Sequence, residues 1–163
     1  MEKFTIRPAT IADVPIILEL IRALATYERA PNDVTATEQS LAEVLFGKKP
    51  AAEVLLLFEK ETAAGFAVFF HNFSTWLSRP GLYLEDLFVR PEHRGKGYGR
   101  ALLVHLAQIA RERDCGRFEW AVLDWNEPAI QFYRKLGAKP MDEWTVFRLT
   151  RDEIAELADS SPA

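Results

Sequence analysis

Apolar residues return along the first part of the chain at intervals of three and four. Val14, Ile17, Leu18, Ile21, Leu24 and Ala25 fall on one side of a helical period, which predicts one long amphipathic helix from Asp13 to about Glu28. Thr10 stands where a cap belongs, with Asp13 three residues on as its acidic box partner. Ahead of it, FTIR reads as a short strand that Pro8 stops from continuing. A second, shorter helix is predicted from Thr37, with Leu41, Val44 and Leu45 on its buried side and Gly47 as a stop signal.

From Val54 the period changes. VLLLFEK and GFAVFFHNF are near-continuous apolar runs, predicted as consecutive strands buried on both faces and joined by a short turn around Thr62, Ala63 and Ala64. LYLEDLFV, Leu82 to Val89, is a third central strand, interrupted by two acids. Gly99 to about Glu112 is a helix with Leu102, Leu103, Leu106, Ile109 and Ala110 on one side. FEWAVLD is a further strand, Pro128 to Leu136 a helix closed by Gly137, WTVFRL a last strand, and the stretch from Asp159 to Ala163 a loose tail. This order predicts a mixed α/β layer architecture rather than repeating βαβ units.

Composition narrows the picture. With 163 residues and 48% hydrophobic content, the chain has the size of one domain, spanning 1–163, with a full core. A net charge of -4 argues against a general nucleic-acid binder. Cys115 has no partner for an intrachain disulfide, and no Cys/His spacing resembles a metal site. His71, His93 and His105 are scattered and take surface or structural roles; Trp76 and Trp120 read as core or interface aromatics. With neither a signal-like stretch nor a membrane-length apolar run, the expected location is cytoplasmic, without a membrane partner.

The stretch EHRGKGYGR asks for an explanation, because Gly95, Gly97 and Gly99 each lose more backbone freedom on folding than any other residue. It fits neither the P-loop nor the dinucleotide fingerprint. It does sit between a strand and a helix N-terminus, where free N–H groups and the positive end of the helix dipole suit an anion. Arg94, Lys96 and Arg100 add charge. Spacing alone also allows a flexible turn with solvated basic side chains.

Arg94, Gly97 and Gly99 resemble the R-x-x-G-x-G/A signature of the GCN5-related N-acetyltransferase (GNAT) superfamily, which binds the pyrophosphate of acetyl-coenzyme A. FTIRPAT, LATYE, YLEDLFV, the glycine loop and WNEPAIQFYRKLGA together resemble its diamine branch, which includes spermidine/spermine and thialysine acetyltransferases. The resemblance implies a GNAT fold: a mixed, mostly antiparallel sheet flanked by helices, with splayed central strands forming the acetyl-CoA cleft. It implies acetyl-CoA as cosubstrate, no metal, and a homodimer whose partner chain helps complete the cleft.

The same resemblance assigns roles. Arg94, Gly95, Lys96, Gly97, Tyr98, Gly99 and Arg100 form the coenzyme loop, Asn126 contacts the coenzyme, and Leu87 and Val89 hold the pantetheine arm through their backbone. A bulge in this strand is expected to splay a backbone N–H of the Leu87 to Val89 segment toward the developing oxyanion. Glu85 matches the residue that takes the amine proton through an ordered water, and Asp86 a substrate-contacting acid. A base is needed because neutralising a primary amine with a pKa near 10.4 at pH 7 takes roughly 4 to 5 kcal/mol. Simple strand alternation puts the two acids on opposite faces, one toward the cleft and one toward the amine tail or a structural partner.

Tyr133, with Ile130 and Leu136 at helical spacing, reads by periodicity as a core aromatic, whereas the resemblance makes it the general acid for the departing thiolate. Tyr27 and Glu28 border the amine channel, Trp125 lines it, and Asp142, Glu143 and Trp144 correspond to a further acidic block. The implied activity is acetyl transfer to a primary amine of a small cationic substrate. A protein or peptide amine acetyltransferase and a non-catalytic acetyl-CoA sensor are the alternatives.

Overall fold

A computed structural model describes residues 4–161. The chain forms two compact units, the first ending at Leu123 and the second beginning at Asp124. The first holds strands β1 (Thr5–Pro8), β2 (Glu53–Glu59), β3 (Thr62–Ser74), β4 (Arg79–Val89) and β5 (Arg117–Trp120), and helices α1 (Val14–Tyr27), α2 (Glu38–Phe46) and α3 (Tyr98–Glu112). The strands form one sheet in the order β1-β2-β3-β4-β5. The first three pairings are antiparallel and β4 pairs with β5 in parallel, giving the mostly antiparallel mixed sheet flanked by helices that the sequence implied.

The sheet is buried on both faces because its central strands are apolar at successive positions. Val54 and Leu56 of β2, Phe66 and Val68 of β3 and Phe88 of β4 pack with Ile17, Leu20 and Leu24 of α1 and Leu45 of α2. Leu55 and Leu57 alternate with the β2 pair and are equally buried, as are Leu102 and Leu106 of α3, which packs against β2 to β5. The start of α1 is pinned to β1. Arg7 donates two 2.8 Å bonds to the Asp13 carboxylate, which also accepts from the Thr10 N–H at 2.7 Å. The Arg7 guanidinium holds that carboxyl well below its ordinary range.

The structure corrects several sequence expectations. The turn between β2 and β3 is Lys60 and Glu61, with Lys60 at φ +57°, while Thr62, Ala63 and Ala64 belong to β3. Small residues imitate a turn in a one-dimensional pattern, but here they are held by the ladder, in which Glu59 pairs with Thr62 and Phe58 with Ala63. Val44 is half exposed rather than buried, and Trp76, read as a core or interface aromatic, lies almost wholly in solvent in this chain, which removes the core reading. The strand predicted as FEWAVLD keeps a ladder only to Trp120.

The second unit contains α4 (Glu127–Lys135) and α5 (Arg151–Asp159). Gly137, at φ +89°, follows α4 as expected. The segment WTVFRL is not a strand: Trp144 to Leu149 carries no regular structure, and Val146 and Phe147 are 85% and 92% exposed. Apolar content alone does not make a strand; a neighbouring ladder must take its N–H and C=O groups, and among the described residues none does. Of the predicted loose tail, Asp159 closes α5 and the last two residues lie outside the described residues. The sequence did carry a signal for α5, since Thr150 and Glu153 form a capping box with the Thr150 N–H donating to Glu153 at 2.7 Å.

Candidate active site

One register shift shapes the centre of the first unit. Leu84 of β4 pairs with Phe69, but the next β4 residue with a partner is Asp86, opposite Val68, so Glu85 is a bulged extra residue. Residues directly opposite each other share a face, so Asp86 joins Val68, Phe66 and Phe88 on the side covered by α1. Glu85, two residues beyond Tyr83, acts electrostatically on both Tyr83 and Asp86. The bulge interrupts the simple alternation: Asp86 takes the Val68 face, while Glu85 is exposed with no ladder residue opposite it, and its charge bears on Asp86. The bulge also lies at Glu85 rather than in the Leu87 to Val89 segment.

The strands part at the same place. β4 pairs with β5 from Gly81 opposite Arg117 to Leu84 opposite Trp120 and runs on without it to Val89. The Arg90 N–H donates to Ala64 O at 2.9 Å, which makes that residue and, by alternation, Phe88 the ones bonded to β3. The N–H and C=O groups of Leu87 and Val89 consequently point the other way, toward the opening left by β5. One of them is already used, since Arg94 Nε donates to Val89 O at 2.9 Å.

The glycine loop follows. Gly95 and Gly97 have φ of +75° and +83°, which L side chains rarely adopt, and a Cβ at either would meet no atom within 4 Å. The space beside both is thus open to a ligand. Gly97 caps α3 without a side chain, leaving the N–H groups of Tyr98, Gly99 and Arg100 without helix-internal acceptors. With the exposed Arg100 nearby, this donor set and open cradle fit a pyrophosphate. Lys96 and Tyr98 carry a further engagement: their Nζ and hydroxyl donate to Glu59 at the end of β2. Nothing in the local sequence around Glu59 signals this, because its partners lie 34 to 39 residues away.

Acidic groups collect beside the loop. Burial pushes the Asp86 carboxyl up to about 6, with the Glu85 and Glu28 charges adding to the effect. Burial likewise raises Glu28, at the C-cap of α1. Burial raises the Tyr83 phenol, with help from Glu85 and from Glu119, a β5 acid that the sequence had not singled out and whose register opposite Tyr83 brings it there. Tyr27 packs its ring against Phe88 at 6.5 Å, and the Arg94 guanidinium lies 4.4 Å over the Tyr27 ring. The loop arginine and the end of α1 are joined in this way. Tyr27, Glu28, Glu85, Asp86, Leu87, Val89 and the loop from Arg94 to Arg100 thus form one neighbourhood in the first unit.

Trp125, Asn126, Tyr133 and Glu143 belong to the second unit. Asn126 is buried and caps α4, its Oδ1 accepting from the Ala129 N–H at 3.4 Å. Tyr133 is half-buried on α4 with its ring 5.4 Å from that of Phe132. Trp125 is 40% exposed, and Glu143 lies in an exposed turn. Among the described residues no group of three or more His, Cys, Asp or Glu side chains could hold a metal ion, and no helix is long and apolar enough to cross a membrane.

Comparison with known proteins identifies the family. Residues 17–138 match the family model described as the acetyltransferase (GNAT) family. A thialysine N-epsilon-acetyltransferase of Sus scrofa is 36% identical, over 97% of this chain and 99% of its own. An L-ornithine N5-acetyltransferase of Arabidopsis thaliana is 34% identical, over 93% of this chain and 86% of its own. Among solved structures, an integron cassette protein from the mobile metagenome of V. cholerae superimposes with a TM-score of 0.80 at 28% identity, covering 98% of this chain and all of that one. With a glycine cradle before α3, a sheet that parts at Leu84 and relatives along nearly its whole length, the chain belongs to the GNAT family, in its diamine branch, and is an acetyl-CoA-dependent N-acetyltransferase.

Proposed function

We propose that residues 1–163 form one N-acetyltransferase domain that moves an acetyl group from acetyl-CoA directly to a primary amine of a small cationic substrate. The observation that carries this reading is the gathering of Glu28, Glu85 and Asp86 where β4 leaves β5, next to an open glycine cradle. A cluster of acids is unfavourable in a free protein and complementary to a molecule with one or two ammonium groups. The activities named for the thialysine and ornithine enzymes, both acting on amino acids with a side-chain amine, support it.

Bound acetyl-CoA supplies the activated acetyl group as a thioester. Arg94, the N–H groups of the loop and Arg100 hold its pyrophosphate, with Lys96 at the loop's edge. Leu87 and Val89 present backbone groups to the pantetheine arm, and one of their N–H groups receives the charge that develops on the attacked carbonyl oxygen. Asn126 contacts the coenzyme. Asp86 and Glu28 bind the ammonium groups of the acceptor, with Tyr27, Trp125 and Glu143 bordering its alkyl part. Glu85 takes the proton of the attacking amine through a water, and Tyr133 returns a proton to the leaving sulfur. The enzyme acts in the cytoplasm as a homodimer, needs no metal, and has neither nucleic-acid nor membrane partners.

The test is thiol release from acetyl-CoA with spermidine, putrescine, lysine, thialysine, ornithine and a lysine peptide as acceptors, with Tyr133→Phe alongside. Turnover of a small diamine-like acceptor that collapses in the variant supports the reading. Turnover of the peptide alone, or coenzyme binding with no acetylated acceptor, overturns it.

A further inference from the structure

The loop residues Gly95 to Gly97 are bracketed by three side chains that converge on one carboxylate. His93 Nδ1 donates to Glu59 Oε2 at 2.6 Å, Lys96 Nζ donates to both oxygens at 2.9 and 2.8 Å, and the Tyr98 hydroxyl donates to Oε1 at 2.7 Å. These bonds run to an ionised acceptor and are of the stronger kind. The His93 and Glu59 side chains are only 13% and 21% exposed, so water competes poorly for them. Rings close the arrangement: His93 stacks on Tyr98 with centroids 6.5 Å apart, and Phe4 tilts against Tyr98 at 5.3 Å.

Backbone bonds hold the stretch up to Arg94, whose N–H reaches Pro91 O, and resume at Ala101, whose N–H reaches Gly97 O. Between them lie two glycines in the left-handed region, residues that on their own sample many conformations. A cradle that must bind an anion with its backbone loses affinity by whatever its ordering costs. Glu59 supplies order from another strand, at the beginning, middle and end of that segment.

We infer that Glu59 is a positioning residue for the coenzyme: without touching it, Glu59 fixes the glycine loop through His93, Lys96 and Tyr98 in the shape that receives the pyrophosphate. This rests on reading the loop as the pyrophosphate site. Lys96 and Tyr98 draw the Glu59 carboxyl down to about 2, so the hold persists across the physiological range.

The experiment is calorimetric titration of coenzyme A, with steady-state kinetics, on the full chain carrying Glu59→Ala, Glu59→Gln, Tyr98→Phe or Gly97→Val, each checked by thermal unfolding. Glu59→Ala is expected to weaken coenzyme A binding and raise the KM for acetyl-CoA about tenfold, a change of about 1.4 kcal/mol. kcat at saturation and the amine KM should stay within about twofold, with Glu59→Gln in between. Tyr98→Phe, which removes one donor and keeps the ring, should show about a threefold loss and serves if Glu59→Ala does not fold. Unchanged or tighter coenzyme binding in folded Glu59 variants, while Gly97→Val weakens it, overturns the inference and leaves the loop reading intact. Coenzyme binding indifferent to Gly97→Val as well overturns both. Equal losses in kcat and in both KM values, tracking a lowered Tm, would make Glu59 merely structural and also overturn it.

Discussion

Asp86 stands opposite Val68 in the β3–β4 ladder, and that single pairing, set by the bulge at Glu85, turns its carboxyl to the α1 face within the field of Glu28. A strand in unbroken register would have placed Asp86 opposite Ala67, on the other face of the sheet. With the bulge, Asp86 shares the α1 face with Val68, and the charges of Glu85 and Glu28 both bear on it.

The first consequence concerns pH. The folded protein binds a proton on Asp86 up to about pH 6, whereas an unfolded chain releases it near 3.8. The folded state therefore holds more protons through that interval, and stability falls as pH rises across it, by up to about 3 kcal/mol. Asp86→Asn should flatten this dependence and raise Tm at pH 7.5 by up to about 6 to 12 °C, while raising the KM for a cationic amine. Thermal melts between pH 4 and 8 on both proteins check it. In the wild type, amine binding at pH 6 should release a proton, visible as a buffer-dependent enthalpy.

Glu85→Gln removes a proton acceptor and keeps the shape. Turnover at pH 7 is expected to fall by about 10² to 10³, within the range for a lost general base. The loss should shrink as pH approaches the pKa of the amine, where the acceptor is already neutral. A kcat/KM profile from pH 6 to 10 decides it, since an unchanged neutral rate would remove Glu85 from the reaction.

Tyr133→Phe separates chemistry from packing. The ring stays and the hydroxyl goes, so coenzyme A affinity should change less than about threefold while kcat drops by about 10². Parallel losses in both, together with a lower Tm, would mean that the hydroxyl serves the fold instead.

Gly97→Ala tests why the loop is rich in glycine. With φ at +83° and open space around the missing Cβ, the substitution strains the backbone without a clash, by about 1 to 2 kcal/mol. Stability should fall by that amount in chemical denaturation. Acetyl-CoA KM should rise much further than Tm suggests, because the added methyl group occupies the space assigned to the phosphate.

Much of this was legible in the sequence because it depends on neighbours along the chain. The helical period from Val14 to Ala25, the Thr10–Asp13 box, the Thr37 cap and the Gly137 stop after α4 are local facts, and the structure keeps each of them. The order of strands and helices as far as α4, and the strand–glycine–helix unit around Gly95 to Gly99, followed from the same patterns. Apart from α5, whose Thr150–Glu153 box is local, the misread strand pieces were those whose state is fixed by hydrogen-bond partners far away. Thr62 to Ala64 are strand because β2 lies beside them, and Trp144 to Leu149 are not strand because no described ladder takes them up. Periodicity records which face of an element is apolar, but register between strands, the bulge at Glu85, the parting of β4 from β5 and the reach of Glu59 to Lys96 are decided only when distant segments pack. The sequence determined which acids, glycines and donors the chain carries and in what order; the tertiary structure decided which of them share a face, because the phase of a strand is set by its partner and not by itself.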